Sequence, residues 1–412
     1  MSTSIAIASV QTRSESGSFM AATVGFYFAF RYSIEYLFFQ SAPRAGAAFS
    51  LGLNILLFAV VVFHSLGPAP NTLRSTVHVP SFRPVMAFLL FALCSLLWSA
   101  TVSVAVAFAY WCGVAADLAM VVLLLRTGPV EGMSSSLMRG YVWGAGLIAV
   151  ITWLSPTMQD LRPGNDDFFS PNAVGFILAF GVFLAQYLSR SKRSWNLAAV
   201  FLAVTLLRTL SKSTIVAFVA AEAFLLLRDS AVSRRKLLMI LLSSSLVVGA
   251  FWKLIRAYFE VYTTTGNEAE TLTGRVGVWS YVWERSIEQP WIGHGFHSFR
   301  NVIPAFGPFE PWHAHNELLQ LFYAYGVVGI LLFIAVYGSI FLQIRRLSGR
   351  SHKAFFYCLL LFTAIRGLAD TDRFELTMPL WFVFLISSLM LQLNPHQLES
   401  RELNTPIKDG QS

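Results

Sequence analysis

The chain has 412 residues, of which 55% are hydrophobic and only 13% charged, and its mean hydropathy is +0.59. Thirty-six Phe and 11 Trp residues, set against 30 basic and 22 acidic ones, would leave a soluble core with a large apolar surface; a soluble globular protein is excluded, as are disordered, collagen-like and disulfide-scaffold chains. What remains is an all-α polytopic membrane protein, in which about twelve spans of roughly 20 residues use about 240 residues and leave room for one substantial loop.

The polar segment 1–17 lacks the basic-then-apolar order and the small-residue cleavage site of a signal peptide, so the first span is expected to remain as an anchor. Apolar spans then follow at about 18–40, 45–66, 83–99, 101–125, 139–156, 172–189, 194–210, 212–228 and 236–256. These form an expected bundle over 18–256. A loop occupies 257–315, further spans fall at 316–344, 354–368 and 377–393, and 394–412 reads as a polar, disordered tail.

With the N-terminus inside, the even-numbered turns collect Arg74, Arg83, Arg126, Arg139, Arg190, Lys192, Arg193, Arg228, Arg234, Arg235, Lys236, Arg345, Arg346, Arg350 and Lys353. The opposite turns carry acids, among them Asp160, Asp166, Asp167, Asp370, Asp372 and Glu375. The positive-inside rule then puts both termini in the cytoplasm. The net charge of +8 is therefore chiefly a topological signal, and nucleic acid is not an expected partner. Cys94, Cys112 and Cys358 lie in apolar stretches without the spacing of a disulfide framework or zinc site.

Ionisable residues inside proposed spans, Arg31, Glu35, Asp117, Glu222 and Arg366, should face the bundle interior. Arg31 and Glu35 have i,i+4 spacing and are expected to pair with each other. Arg208, Ser211 and Lys212 interrupt the apolar stretch 197–227 and predict a tight outward turn. Two cations then sit at the outer membrane boundary, either snorkelling to headgroups or meeting a specific anion.

The loop shifts toward Thr, Glu, Gly, Pro and Trp. Within it, Val276, Trp279, Trp283 and Ile287 recur at helical spacing and predict an amphipathic interfacial helix, capped by Thr271 or Thr273 and ended by Pro290, Gly293 and Gly295. Arg275 falls in the first turn, where the helix dipole opposes a cation. Two readings fit: an anion such as pyrophosphate bound between guanidinium and free N–H groups, or an ion pair with Glu268 or Glu270.

Where the loop re-enters the membrane stand His313, His315, Asn316 and Glu317. The HExxH zinc signature is absent, and no metal is expected. His315 reads as a general base or hydrogen-bond partner, or as an interfacial histidine without a chemical task. Gly326 and Gly329 suggest a tight helix–helix contact. Arg366, Asp370, Asp372 and Arg373 cluster at a second outward-facing helix end, where an acid could orient His315, hold a sugar hydroxyl or close a local salt bridge.

These residues bring out a family resemblance. The chain resembles the bacterial O-antigen ligases and the related Wzy-type polysaccharide polymerases, including exopolysaccharide polymerases. It does so in His315-Asn316 followed after nine residues by Gly326-x-x-Gly329, and in Thr271-Leu272-Thr273-Gly274-Arg275 with Trp279, Pro290 and Gly293-x-Gly295. The span pattern with one late loop agrees. The family's Arg-x-x-x-Leu is here Arg275 and Trp279, and its Ser-Arg is here Ser211-Lys212, which keeps the charge but loses bidentate geometry.

The resemblance implies a GT-C-like inner-membrane glycosyltransferase of exopolysaccharide or lipopolysaccharide biosynthesis. It would work at its periplasmic face, without cofactor or metal, on a glycan carried by undecaprenyl pyrophosphate. Arg275, with Lys212 and Arg208, would neutralise the leaving pyrophosphate, and His315 would position or deprotonate the acceptor hydroxyl, giving inversion. His313, Asn316, Asp370 and Asp372 would support the acceptor side. The acceptor is expected to be another lipid-linked repeat in a polymerase, the favoured reading, or lipid A core in a ligase. Polysaccharide export machinery is a possible partner. A lipid or saccharide transporter and a noncatalytic export scaffold are the alternatives of another kind. The concentration of polar chemistry in one loop, rather than in two corresponding halves, favours an enzyme.

Overall fold

The computed structural model describes residues 17–66, 81–124, 130–158, 161–164, 169–228, 272–300, 302–306, 311–347 and 349–371, with scattered helical positions between 235 and 260. The sequence expectations for Asp160, Asp372, the Thr271 cap, the span 377–393 and both termini lie outside the described residues.

Among the described residues the structure is all-helical, apart from one isolated bridge between Thr157 and Pro163. Helix α1 (17–30) runs through a 3-10 turn, Arg31–Ser33, into the short α2 (Ile34–Phe38). Then come α3 (Pro43–Ser65), α4 (Phe82–Cys94) with a 3-10 extension, α5 (Val104–Leu124) and α6 (Val130–Leu154). They are followed by α7 (Pro171–Ser189), α8 (Trp195–Arg208), α9 (Lys212–Arg228), α10 (Leu272–Ser286), α11 (Glu317–Arg346) and α12 (Arg350–Gly367). Five of these helices are long and apolar enough to cross a membrane, and α4 and α8 are shorter apolar helices.

Helix α7 is the centre of the bundle. It packs on α6, α8, α9 and α12 and is buried along nearly its whole length. Such a helix needs apolar residues on every face, and α7 supplies them: Phe176, Phe180 and Phe183 surround Phe362 of α12 with ring centroids 5.4 to 5.6 Å apart. Small residues elsewhere let neighbours approach, as lipid-facing bundles require. At Gly25 and Gly140 helices α1 and α6 touch backbone to backbone, with Gly140 against the Ala22 carbonyl.

Two packing expectations are corrected. Arg31 pairs across the bundle with Asp117 on α5, at 2.8 and 2.9 Å, instead of with Glu35 one turn away. A bidentate partner on a facing helix satisfies a buried guanidinium more fully than a side chain on its own helix. The Gly326/Gly329 pair does not receive another helix. Gly326 has φ +62 and kinks α11, and a Cβ there would collide with the Trp291 carbonyl, while one at Gly293 would lie 2.5 Å from the Ala324 and Tyr325 backbone. The loop fills the kink and satisfies its exposed groups: His294 and Gly295 N–H donate to the Tyr323 and Ala324 carbonyls, and Val327 N–H donates to Pro290.

Helix α10 buries a second face beside the one its aromatic spacing marks. Val278, Val282 and Ser286 are buried, packing with Phe299, Ile303, Ala314 and Tyr323 in a second small core. Val276, Trp283 and Ile287 stay about half exposed, at 49%, 55% and 54%. The helix is apolar on two sides, and the compact valines fit the closer contact. Helix α10 packs on α11, so the small core fixes the start of α10 over the re-entry point of the chain.

Candidate functional site

The site is built where the first turn of α10, the entry to α11 and the end of α12 converge. Residue 316 shapes the entry. Asn316 is the N-cap of α11, its side chain accepting the Leu319 N–H at 3.0 Å, while its Nδ2 donates to the Leu368 carbonyl at 3.2 Å. The same side chain thus starts one helix and ties it to the end of another. Just before it, His315 takes a left-handed φ of +51, a conformation uncommon outside glycine. That twist brings two histidines of i,i+2 spacing together, with ring centroids 4.1 Å apart.

Both rings face Asp370. Asp370 Oδ1 lies 3.6 Å from His315 Nδ1 and 3.9 Å from His313 Nδ1, and it accepts the Thr371 N–H at 2.9 Å. Its other oxygen takes Arg366 Nη2 at 2.7 Å. Burial alone would raise the Asp370 carboxyl, but the Arg366 guanidinium and the His315 and His313 imidazoles hold it well below the usual carboxylate range. Arg366 is in turn fixed over the Phe176 ring at 4.1 Å, with Nε donating to Thr214 Oγ1 at 3.4 Å. His313 Nδ1 accepts the His315 N–H at 3.3 Å, which places the proton of a neutral His313 ring on Nε2.

Arg275 reaches the same place from the loop. Its Nη1 donates to the Ala369 carbonyl at 2.7 Å, one residue before Asp370. Trp279, one turn on, donates to the Ala314 carbonyl at 2.8 Å, between the two histidines. Arg275 and Trp279 therefore hold, respectively, the segment that carries Asp370 and the segment that carries the two histidines. The alternative partners Glu268 and Glu270 lie outside the described residues.

The turn between α8 and α9 completes this end of the bundle. Leu210 has φ +51, and Ser211 Oγ contacts both Asn172 Oδ1 and Thr214 Oγ1 at 2.9 Å. Through Thr214 and Arg366 the first turn of α9, which Lys212 begins, is joined to the Asp370 cluster. Arg208 turns elsewhere, donating to the Leu161 carbonyl at 3.1 Å. The structure thus gathers Arg275, His313, His315, Asn316 and Asp370 directly, while Lys212 is exposed two residues before Thr214, which meets Arg366, and Arg208 has its described contact outside the cluster.

Sequence reasoning missed Thr214 and Asn172 as the link, and it missed Arg300, whose guanidinium stacks on Trp312 at 4.1 Å beside His313. The only signal for the first two was that polar residues begin helices otherwise apolar.

His313, His315 and Asp370 offer three ligand atoms within 4.8 Å of one another, a number and type that zinc accepts. Two of the three donors are otherwise engaged. One Asp370 oxygen holds a guanidinium, His313 Nδ1 accepts an N–H, and Arg275 and Arg366 crowd the same corner with positive charge. These cations oppose a further divalent cation there and favour an anion.

Residues 197–334 match the model of the O-antigen ligase family. The chain is 26% identical over 298 residues to the O-antigen ligase of Pseudomonas aeruginosa, covering 66% of this chain and 67% of that one. It is 27% identical over 302 residues to the exopolysaccharide production protein ExoQ of Rhizobium meliloti, covering 65% and 66%. A 124-residue stretch is 26% identical to a Rickettsia conorii protein named as a candidate polysaccharide ligase, 28% of either chain. The matches therefore span about two thirds or less of those relatives' lengths.

Proposed function

We propose, from the premise that this chain belongs to an O-antigen ligase-like family of membrane proteins, that it is a metal-independent, inverting glycosyltransferase working on a lipid pyrophosphate-linked glycan at the periplasmic face. The observation that carries the reading is the buried Arg366–Asp370 pair facing His315, with Arg275 anchored one residue away. An acid held ionised beside an imidazole, next to fixed cations, is the arrangement that proton removal at a developing phosphate leaving group requires.

In this reading His315 keeps its Nδ1–H toward Asp370 and presents Nε2 to an acceptor hydroxyl. The hydroxyl oxygen forms a bond to the anomeric carbon as the bond from that carbon to the pyrophosphate oxygen breaks. The hydroxyl proton passes to His315 and then to water, and the lipid pyrophosphate leaves with the bonding electrons. Arg275 and Lys212 offset the charge that grows on it. Arg208, held by the Leu161 carbonyl, contributes at most to the wider field. Asp370 stabilises the imidazolium, and His313 and Asn316 fix the segment that carries the base. The GT-C-like architecture of about twelve spans, the 257–315 periplasmic loop and the domain boundaries belong to this proposal.

Repeat-unit polymerisation is the favoured form, because the TLTGR loop with its Trp-bearing helix resembles exopolysaccharide polymerases more than ligases. The test is reconstitution of the full chain with undecaprenyl-pyrophosphate-linked repeats, with and without lipid A core. Longer lipid-linked chains support the polymerase, transfer to core supports ligation, and movement of glycan without a new glycosidic bond removes both in favour of a transporter.

A further inference from the structure

Between α9, α11 and α12 lies a groove of about 720 Å³. Its walls are apolar, formed chiefly by Phe224, Phe341, Tyr357 and Leu361, and its mouth is ringed by Arg228, Arg345, Arg350 and Lys353. None of these four cations makes an ion pair with a described residue. A topological charge signal accounts for cations in a turn; it does not account for an apolar groove that they surround.

Dimension and charge together select an occupant. From Arg350 to Ala364 the groove follows α12 for roughly 21 Å at about 1.5 Å per residue, somewhat more than half of a hydrocarbon core about 30 Å thick. An occupant must therefore be apolar over one leaflet's depth and anionic at one end. The expected span 377–393 has no acidic residue and does not complement the four cations.

We propose that this groove seats one anionic phospholipid, its phosphate among Arg228, Arg345, Arg350 and Lys353 and an acyl chain along Phe224, Phe341 and Tyr357. The phosphate end of the groove lies at the opposite end of α12 from the Asp370 cluster, which the groove approaches only at Ala364, and the proposal does not rest on the proposed reaction.

The test is native mass spectrometry of the full-length protein in detergent, with phosphatidylglycerol or phosphatidylcholine of identical acyl chains, and inorganic phosphate as competitor. Phosphatidylglycerol should be retained in preference to phosphatidylcholine. Arg345→Gln and Arg350→Gln should each weaken its retention about fivefold, the effect of one cation near an anionic lipid surface. Ala364→Trp, at an exposed position of the groove, should weaken retention with the cations intact. All variants should elute and unfold as the parent does.

Equal retention of both lipids, indifference to the three substitutions, or full displacement by inorganic phosphate would overturn the proposal. So would complete crosslinking of a Leu361→Cys/Leu385→Cys pair in a background lacking the native cysteines, since the chain's own 377–393 segment would then fill the groove.

Discussion

Arg366 holds Asp370 one helical turn away, at 2.7 Å, with both side chains under 5% exposed. A pair this deeply buried is costly to break from one side, because the survivor is left charged without compensation. Asp370→Asn and Arg366→Gln should each lower stability by about 3–5 kcal/mol, whereas the double variant should recover part of that loss. Thermal unfolding in detergent measures it. Turnover should not recover in the double variant, since the neutral amide cannot stabilise an imidazolium at His315, and that separation of stability from activity distinguishes a positioning role from a purely structural one.

The same pair sets an acid limit. The folded-state pKa of Asp370 is depressed, so its stabilising contribution is present above the ordinary carboxylate value of about 4 and is lost as pH falls through the lower folded value. Unfolding titrations below pH about 4 should show a slope that Asp370→Asn lacks.

His297 acts in the same direction, in a window nearer neutrality. Burial, reinforced by Arg300, lowers its imidazole from 6.5 to about 4, while the ring stacks on Tyr110 and contacts Thr101 Oγ1. The unfolded chain then binds a proton that the folded chain refuses, so stability falls with pH through this window. Between pH 7 and 5 the loss attributable to this residue is about 2 kcal/mol. His297→Asn, which tolerates the left-handed φ of +59 at this position, should flatten that part of the stability profile. A slope unchanged in the variant would remove His297 as its source.

Hydropathy made the long helices legible because a run of apolar residues is a local property. The readings 172–189 and 212–228 lie within a residue of the helices Pro171–Ser189 and Lys212–Arg228. Partners were not local. Arg31 finds Asp117 eighty-six positions away, and nothing in the i,i+4 spacing to Glu35 could reveal a better acceptor on a facing helix. The GxxG spacing announced close approach but not what approached, since a loop and a helix both need the missing Cβ. The cluster itself was half legible: His315, Arg275 and Asp370 stood out as polar residues at apolar boundaries, while the connection through Thr214 and Arg366 depends on how α9 and α12 pack. Arg208 and Lys212, four residues apart, looked alike in the sequence, and only the turn at Leu210 sends their helices to different neighbours.

The loop-to-kink contact predicts an asymmetric glycine pattern. Gly293 and Gly326 have positive φ and no room for a Cβ, so alanine at either should cost more than the roughly 1–2 kcal/mol of the left-handed conformation alone. The loop should also become accessible to protease, because the hydrogen bonds of His294, Gly295 and Val327 across the kink are lost together. Gly146→Ala in α6, where no atom lies within 4 Å of the added methyl, should instead be neutral or stabilise by about 0.4–1 kcal/mol. Limited proteolysis beside thermal unfolding separates a released loop from a bundle that has simply failed to fold.

The two neighbouring histidines give the sharpest test of the chemistry, because a metal site and a base make different demands on them. If His313, His315 and Asp370 shared a metal, loss of any ligand would release it and all three variants would behave alike. With His315 as the base, His315→Gln should reduce turnover about 10²–10⁴-fold. His313 accepts the His315 N–H through Nδ1, and the amide oxygen of Gln can accept the same hydrogen bond, so His313→Gln should retain most of the activity. Dialysis against a chelator should leave the rate of the parent unchanged. Arg275→Lys adds the complementary control: it preserves charge but not the fixed fork that reaches the Ala369 carbonyl, and a loss of about 10²–10³-fold is expected where a preorganised donor to a leaving oxyanion is removed. Parallel loss in both histidine variants with restoration by added zinc would exchange the proposed base for a metal; loss confined to His315 and Arg275 leaves proton transfer and anion stabilisation as the two tasks of this cluster.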